Sequence, residues 1–187
     1  MREFLAIPLP EPLRLRAAAA RAVLTAQDGG WRFAREEGLH VTIRFLGEVD
    51  PARHDDLNAA WREAARGTGV LRLRLEGAAV LPTPKKPRLF CLRVRDESGD
   101  GSLGRLAERV ERAARARGFP HEDRAFAPHV TLARARRGAR VLAPAVERGG
   151  DCGTFVAERL VLYRSEPDRG GSRYIEEASY PLTPEGA

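Results

Sequence analysis

His40-Val41-Thr42-Ile43-Arg44-Phe45 recurs 89 residues later as His129-Val130-Thr131-Leu132-Ala133-Arg134, so two of the chain's four histidines head the same apolar-flanked tripeptide. On a strand, side chains two apart share a face, which sets each imidazole beside a hydroxyl while the valines point into a core. Two imidazoles divide acid-base labour, one neutral and one protonated. That suits displacement at phosphorus, where a nucleophile loses a proton and a leaving oxygen gains one. Thr42 and Thr131 offer hydroxyls to the non-bridging phosphate oxygens. Either motif alone fits a half-buried strand histidine; the pair fits a site, if the two halves of the chain meet about an approximate two-fold axis. A metal centre fits less well, because H-x-T supplies one imidazole per strand and no Asp, Glu or Cys stands at short ligand spacing. A Ser-His-Asp hydrolase fits less well still, without a G-x-S-x-G turn.

The elements that must position these residues read as α+β. Arg2 to Leu9 reads as a strand, and Glu11 to about Gln27 as a helix with Leu13, Ala17, Ala20 and Leu24 on one face and Pro12 in its first turn. Strands are expected at Trp31–Ala34 and Leu39–Leu46. Asp50 caps a second helix with Pro51 at its first position and an apolar stripe of Leu57, Ala60, Trp61 and Ala64. Val70–Leu75 and Arg88–Arg95 alternate as strands, and Pro82–Pro87 between them reads as a basic loop, since its prolines remove ladder donors. A helix spans about Gly101 to Arg117, followed by strands at His129–Ala135, Thr154–Tyr163 and Tyr174–Leu182. There is no regular one-strand, one-helix rhythm and no G-x-G-x-x-G, which argues for mainly antiparallel sheets backed by helices.

Composition narrows the class. With 187 residues, 43% of them hydrophobic, the chain suits one domain or two small lobes sharing a cleft. Charges interrupt every apolar run, so no membrane span is expected. The run Phe4–Ile7 is too short for a signal core and meets Pro8 and Pro10, which points to the cytoplasm. Cys91 and Cys152 lie far apart in no metal spacing and read as reduced, buried thiols. Of the 32 basic residues all but Lys85 and Lys86 are Arg, and the net charge is +6. Arg binds phosphate bidentately and stacks on flat rings, although an Arg- and Ala-rich composition also arises from solvated helix faces.

The sequence resembles the 2H phosphoesterases, named for two H-x-[ST]-x motifs in one chain, and within them the RNA 2',3'-cyclic phosphodiesterases, historically called 2'-5' RNA ligases. The likeness rests on Phe4–Ile7, Leu39–Val49 (LHVTIRFLGEV), Phe126–Arg134 (FAPHVTLAR), and Leu162–Ser165 followed by Gly170–Tyr174. The resemblance implies a single two-lobed domain over residues 1–187, each lobe a small antiparallel sheet backed by helices, with a central cleft. It implies hydrolysis of RNA 2',3'-cyclic phosphate ends to 2'-phosphomonoesters with no cofactor and no metal. His129 would activate water and His40 protonate the departing 3' oxygen, with Thr42 and Thr131 at the phosphate. Phe45 and Arg134, each five residues after a motif histidine, would clamp a nucleobase. Simple alternation puts such a residue on the face opposite the histidine. Either a bulge or strong twist re-aims the two, or Phe45 is core and Arg134 a surface cation.

Arg44 falls on the histidine face, as a phosphate ligand or a solvated strand end. His54 reads as surface, His121 as at most a cleft-lining residue, and Tyr163 and Tyr174 as sheet residues seeking hydroxyl partners. Lys85, Lys86 and Arg88 either guide a polynucleotide or solubilise a loop. The expected partner is RNA with a 2',3'-cyclic phosphate end or a small cyclic nucleotide, acted on by a monomer. The same histidines run the reverse reaction, joining RNA ends through a 2'-5' linkage. A non-catalytic RNA-binding module is the alternative of another class, and two complete H-x-T motifs speak against it.

Overall fold

The computed structural model describes residues 1–21, 30–136, 151–168 and 171–184. In chain order its elements are strand β1 (Arg2–Pro8), helix α1 (Glu11–Ala19), β2 (Trp31–Phe33), β3 (His40–Glu48), α2 (His54–Ala65), β4 (Leu71–Thr83), β5 (Lys86–Asp96), α3 (Ser102–Ala116), β6 (His129–Ala135), β7 (Gly153–Ala157), β8 (Arg159–Asp168) and β9 (Gly171–Pro181). All strand pairs are antiparallel, in the order β7-β4-β5-β6-β3-β1-β8-β9, with β2 beside β6. The sheet has two halves of four strands, which we term the first lobe (β3, β1, β8, β9) and the second lobe (β6, β5, β4, β7). They meet at β3 and β6, the two motif strands, through the pair Val41 and Val130. The expected α+β architecture with two related halves is what the chain adopts.

The helices cover one face. Leu13 and Ala17 of α1, Leu57, Ala60 and Trp61 of α2, and Leu106, Val110 and Ala114 of α3 join Leu5, Ile7, Val41, Leu73, Phe90 and Leu132 from the strands in one core. Each large apolar side chain buried there contributes about 1.5–3 kcal/mol. The Asp50 carboxylate accepts the Ala52 amide at 3.0 Å and opens a 3-10 turn, Pro51–Arg53, that feeds α2. Before α3, Asp96 accepts the Leu103 amide at 2.8 Å, and Gly118 in the left-handed region (φ 80°) ends that helix's run. No helix among the described residues is long and apolar enough to cross a membrane. Cys91 and Cys152 are buried.

Three expected boundaries move. The helix α1 ends at Ala19, and residues 22–27 of the anticipated helix lie outside the described residues. Thr154–Tyr163 is two strands rather than one: β7 pairs with β4 and β8 with β1, at opposite parts of the sheet. Pro82–Pro87 is a hairpin tip rather than a loop, with Pro82 opposite Pro87 and Thr83 opposite Lys86. The prolines are tolerated there because β7 reaches only Leu71–Leu75 of β4 and β6 only Leu89–Arg93 of β5. Among the described residues no third strand asks the tip for donors.

Candidate active site

The pairing of Val41 with Val130 fixes the centre of the site. Both valines are fully buried in the core, so the residues flanking them face the other way. One step along the antiparallel register in each direction sets His40 opposite Thr131 and Thr42 opposite His129. All four are half-buried. Beside them, Ala6 of β1 lies opposite Thr42 and Cys91 of β5 opposite Thr131. These small, buried neighbours floor the cleft without covering the hydroxyls.

Each motif strand then carries a bulge at the same point. Between β1 and β3 the register skips Ile43, and between β5 and β6 it skips Leu132. The skipped residue and the next one are both buried: Ile43 with Arg44, and Leu132 with Ala133. A bulge of one residue resets the alternation. Phe45, 53% exposed, and Arg134, also exposed, therefore emerge on the histidine face. Arg44 is turned to the helical face, 8% exposed, where its Nε lies 2.7 Å from Glu111 Oε2 and its guanidinium donates to the carbonyls of Phe45 and Pro120. It is neither a phosphate ligand nor a solvated strand end, because alternation was broken one residue earlier.

The strands run antiparallel through Val41 and Val130, so residues four steps beyond each valine lie on opposite sides of the crossing. Arg134 lines a cleft with His40, Thr42, Thr131, Gly38 and Tyr174. Phe45 stands outside that wall, its ring 5.8 Å from that of Phe4.

The two imidazoles are held alike at one nitrogen. His40 Nδ1 donates to the Gly38 carbonyl at 2.7 Å, and His129 Nδ1 donates to the Ala127 carbonyl at 2.7 Å. Each carbonyl belongs to the residue two before its histidine, and the bond fixes the tautomer that leaves Nε2 for chemistry. His40 Nε2 lies 3.1 Å from the Thr42 hydroxyl. Around this ring stand Phe4, Tyr174 and Tyr163, at centroid distances of 4.8, 5.2 and 6.1 Å. Burial pushes His40 down to about 4, opposed by the Gly38 hydrogen bond and assisted by the nearby Arg134 and His129. His40 is thus neutral near pH 7.

Sequence reasoning passed over this aromatic wall. No spacing rule links positions 4, 163 and 174 to position 40; the strand order β3-β1-β8-β9 does. Gly38 is part of it as well, since a Cβ there would stand 3.0 Å from Tyr174 Cδ2. The other histidines lie elsewhere. His54 is not simply surface: its Nε2 is 2.8 Å from Glu3 Oε1, and burial pushes the Glu3 carboxyl upward. His121 pairs with Glu111 at 2.8 Å, next to Arg44 and away from the cleft. Among the described residues no three His, Cys, Asp or Glu side chains cluster as a metal would need.

Comparison with known proteins gives the same grouping. The family model described as LigT-like phosphoesterase matches residues 7–91 and 94–174. A Geobacillus stearothermophilus protein named RNA 2',3'-cyclic phosphodiesterase is 28% identical over 96% of this chain, and the match spans 56% of its length, so the chain covers little more than half of that relative. A Thermus thermophilus protein of the same name is 30% identical over 97% of this chain and 90% of its own. Among solved structures, one of a Thermus thermophilus protein superposes with a TM-score of 0.82 at 29% identity, covering 99% of this chain and 100% of that one. Escherichia coli LigT complexed with 3'-AMP superposes with a TM-score of 0.78 at 27% identity, covering 97% and 98%. With the family model matched along most of the chain and both H-x-T motifs inside the matched segments, the chain belongs to the LigT-like phosphoesterase family.

Proposed function

We propose that this protein hydrolyses the 2',3'-cyclic phosphate ends of RNA to 2'-phosphomonoesters, without a metal ion, by the paired action of His40 and His129. The observation that supports the reading is the repeated hold on Nδ1, which leaves Nε2 of both histidines for chemistry on one face of neighbouring strands, each histidine opposite the other motif's threonine. Water gives its proton to His129 Nε2 as its oxygen bonds to phosphorus. The P–O3' bond breaks, and the 3' oxygen takes a proton from His40 Nε2. Thr42 and Thr131 donate to the non-bridging oxygens.

His40 is neutral in the empty cleft, and the arriving phosphate anion raises its proton affinity, so that the acid form exists chiefly when substrate is bound. Arg134 and Tyr174, in the same wall, take the terminal nucleoside. The names of the relatives and the 3'-AMP bound to the Escherichia coli structure support a nucleotide phosphate as ligand. The test is incubation with an RNA ending in 2',3'-cyclic phosphate, with and without exhaustive chelation. The expected product is the 2'-phosphate under both conditions. A 3'-phosphate product overturns the assignment of the leaving oxygen, and loss on chelation with rescue by Zn²⁺ or Mn²⁺ overturns the metal-free mechanism.

A further inference from the structure

The solvent face of the second lobe carries several arginines, and all but one of those described on β4 and β5 below the cleft floor are matched by acids. Arg72 and Arg74 reach Glu97 at 3.7 and 3.2 Å, and Arg95 reaches Glu76 at 3.0 Å. Arg93 differs. It lies directly opposite Glu76 in the β4–β5 register, yet Glu76 turns to Arg95 instead. Among the described residues Arg93 has no carboxylate in ion-pairing range, and it is exposed.

Its other cross-strand partner is His129. Directly opposed residues share a face, and neighbouring strands are about 4.8 Å apart, so Arg93 stands next to His129 on the cleft side. Two residues before it, Cys91 forms part of the cleft floor beneath Thr131. The corresponding position in the first lobe, opposite His40, is Pro8, which carries no charge. Arg93 is therefore a cation without a matching acid among the described residues on the His129 side, away from the wall formed by Arg134 and Tyr174.

We infer that Arg93 binds the phosphodiester that joins the terminal nucleotide to the rest of an RNA strand, making the site selective for a polynucleotide end over a free cyclic nucleotide. This rests on the reading of the site given above. An arginine with no internal acid presents its full fork of donors to an incoming anion, and one beside the histidine rather than among the threonines meets the next phosphate along the chain.

The experiment compares kcat/KM for a nucleoside 2',3'-cyclic phosphate with that for a hexanucleotide of the same nucleoside ending in 2',3'-cyclic phosphate, in wild type, Arg93→Gln and Arg95→Gln. A labelled hexanucleotide ending in 2'-phosphate gives affinity by anisotropy across a salt series. Arg93→Gln should lower the ratio of hexanucleotide to mononucleotide kcat/KM about tenfold, through KM, whereas Arg95→Gln, already matched by acids, should move that ratio less than twofold. The slope of log affinity against log salt should become shallower by about 0.7, one phosphate's worth for a single strand. Equal losses on both substrates would place Arg93 at the reacting phosphate and overturn the inference. An unchanged ratio and salt slope would overturn it as well. If the wild type turns over neither substrate, the proposed reaction fails, and the anisotropy slope alone still decides the role of Arg93.

Discussion

The two H-x-T strands are alike in backbone and unlike in surroundings. Each begins with a histidine whose Nδ1 donates to the carbonyl two residues back, and each bulges at the fourth position and re-aims the sixth onto the histidine face. Yet His40 sits against three aromatic rings, which hold it neutral down to about pH 4, while His129 stands beside the unmatched Arg93. Repetition of the backbone places two imidazoles on one face of adjacent strands. The difference between the walls gives them separate tasks, since the proton affinity of an imidazole follows its solvation and its charged neighbours. A pair of this kind needs a shared backbone and unequal packing, and the strand order supplies the packing from chain segments far from either motif.

The largest expected effects test whether the two halves act as one unit. His40→Ala and His129→Ala should each lower kcat by roughly 10²- to 10⁴-fold. The double variant should fall far short of the product of the two, because loss of either proton carrier already stops the concerted step. To separate the roles, a phosphodiester with an activated aryl leaving group should largely restore the rate of His40→Ala, which lacks the acid, and not that of His129→Ala. The reverse pattern of rescue would exchange the two assignments.

Smaller losses should come from the hydroxyls. Thr42→Val and Thr131→Val each remove a donor to a charged phosphate oxygen, a change of about 1.5–3 kcal/mol or roughly 10- to 10²-fold in rate. Thr42→Val should in addition alter the His40 titration, because its hydroxyl lies 3.1 Å from Nε2. Steady-state rates with NMR titration of the ring protons check both. An effect of Thr131→Val on His40 as large as that of Thr42→Val would mean that the motifs are coupled more closely than their separate walls suggest.

The aromatic wall should be visible in stability against pH. Between the ordinary histidine value of 6.5 and about 4, an unfolded His40 takes up a proton that the folded one resists. The unfolded state binds more protons in that window, so this contribution to stability is whole above pH 6.5 and is lost as pH falls toward 4. Tyr174→Ala lets water reach the ring, and the His40 midpoint should rise by about one pH unit with a shallower fall of Tm across the window. A midpoint that stays near 4 would assign the shift to Arg134 and His129 rather than to burial.

Much of this was legible in the sequence because it depends on short-range pattern. The alternation in Val41 and Val130 fixed the inward face, the repeat of H-x-T marked the pair, and the apolar stripe Leu57, Ala60, Trp61 and Ala64 marked α2. The i+5 spacing of Phe45 and Arg134 left a bulge, a strong twist or ordinary core and surface roles open, since a bulge shows itself only against a partner strand. Arg44 was misplaced for that reason. Phe4, Tyr163 and Tyr174 went unread as neighbours of His40 because contacts across strand order leave no local trace, and Arg93 became visible only once Glu76 was seen to turn away from it.

The smallest effects concern the two sixth positions, which the family resemblance makes a clamp and which lie four steps to either side of the Val41–Val130 crossing. Arg134 shares a wall with His40 and Tyr174, so Arg134→Gln should raise KM about tenfold by removing a cation that can stack on the terminal base. Phe45 touches Phe4 from the far side of the strand crossing, and Phe45→Ala should raise KM about two- to threefold through lost apolar contact. Residues with no common partner change free energies additively, within a few tenths of a kcal/mol. The double variant should therefore show the product of the two changes in KM. A clear departure from that product would mean that ring and guanidinium close on one base after all, with the cleft tightening around the substrate by more than the width of the space now between them.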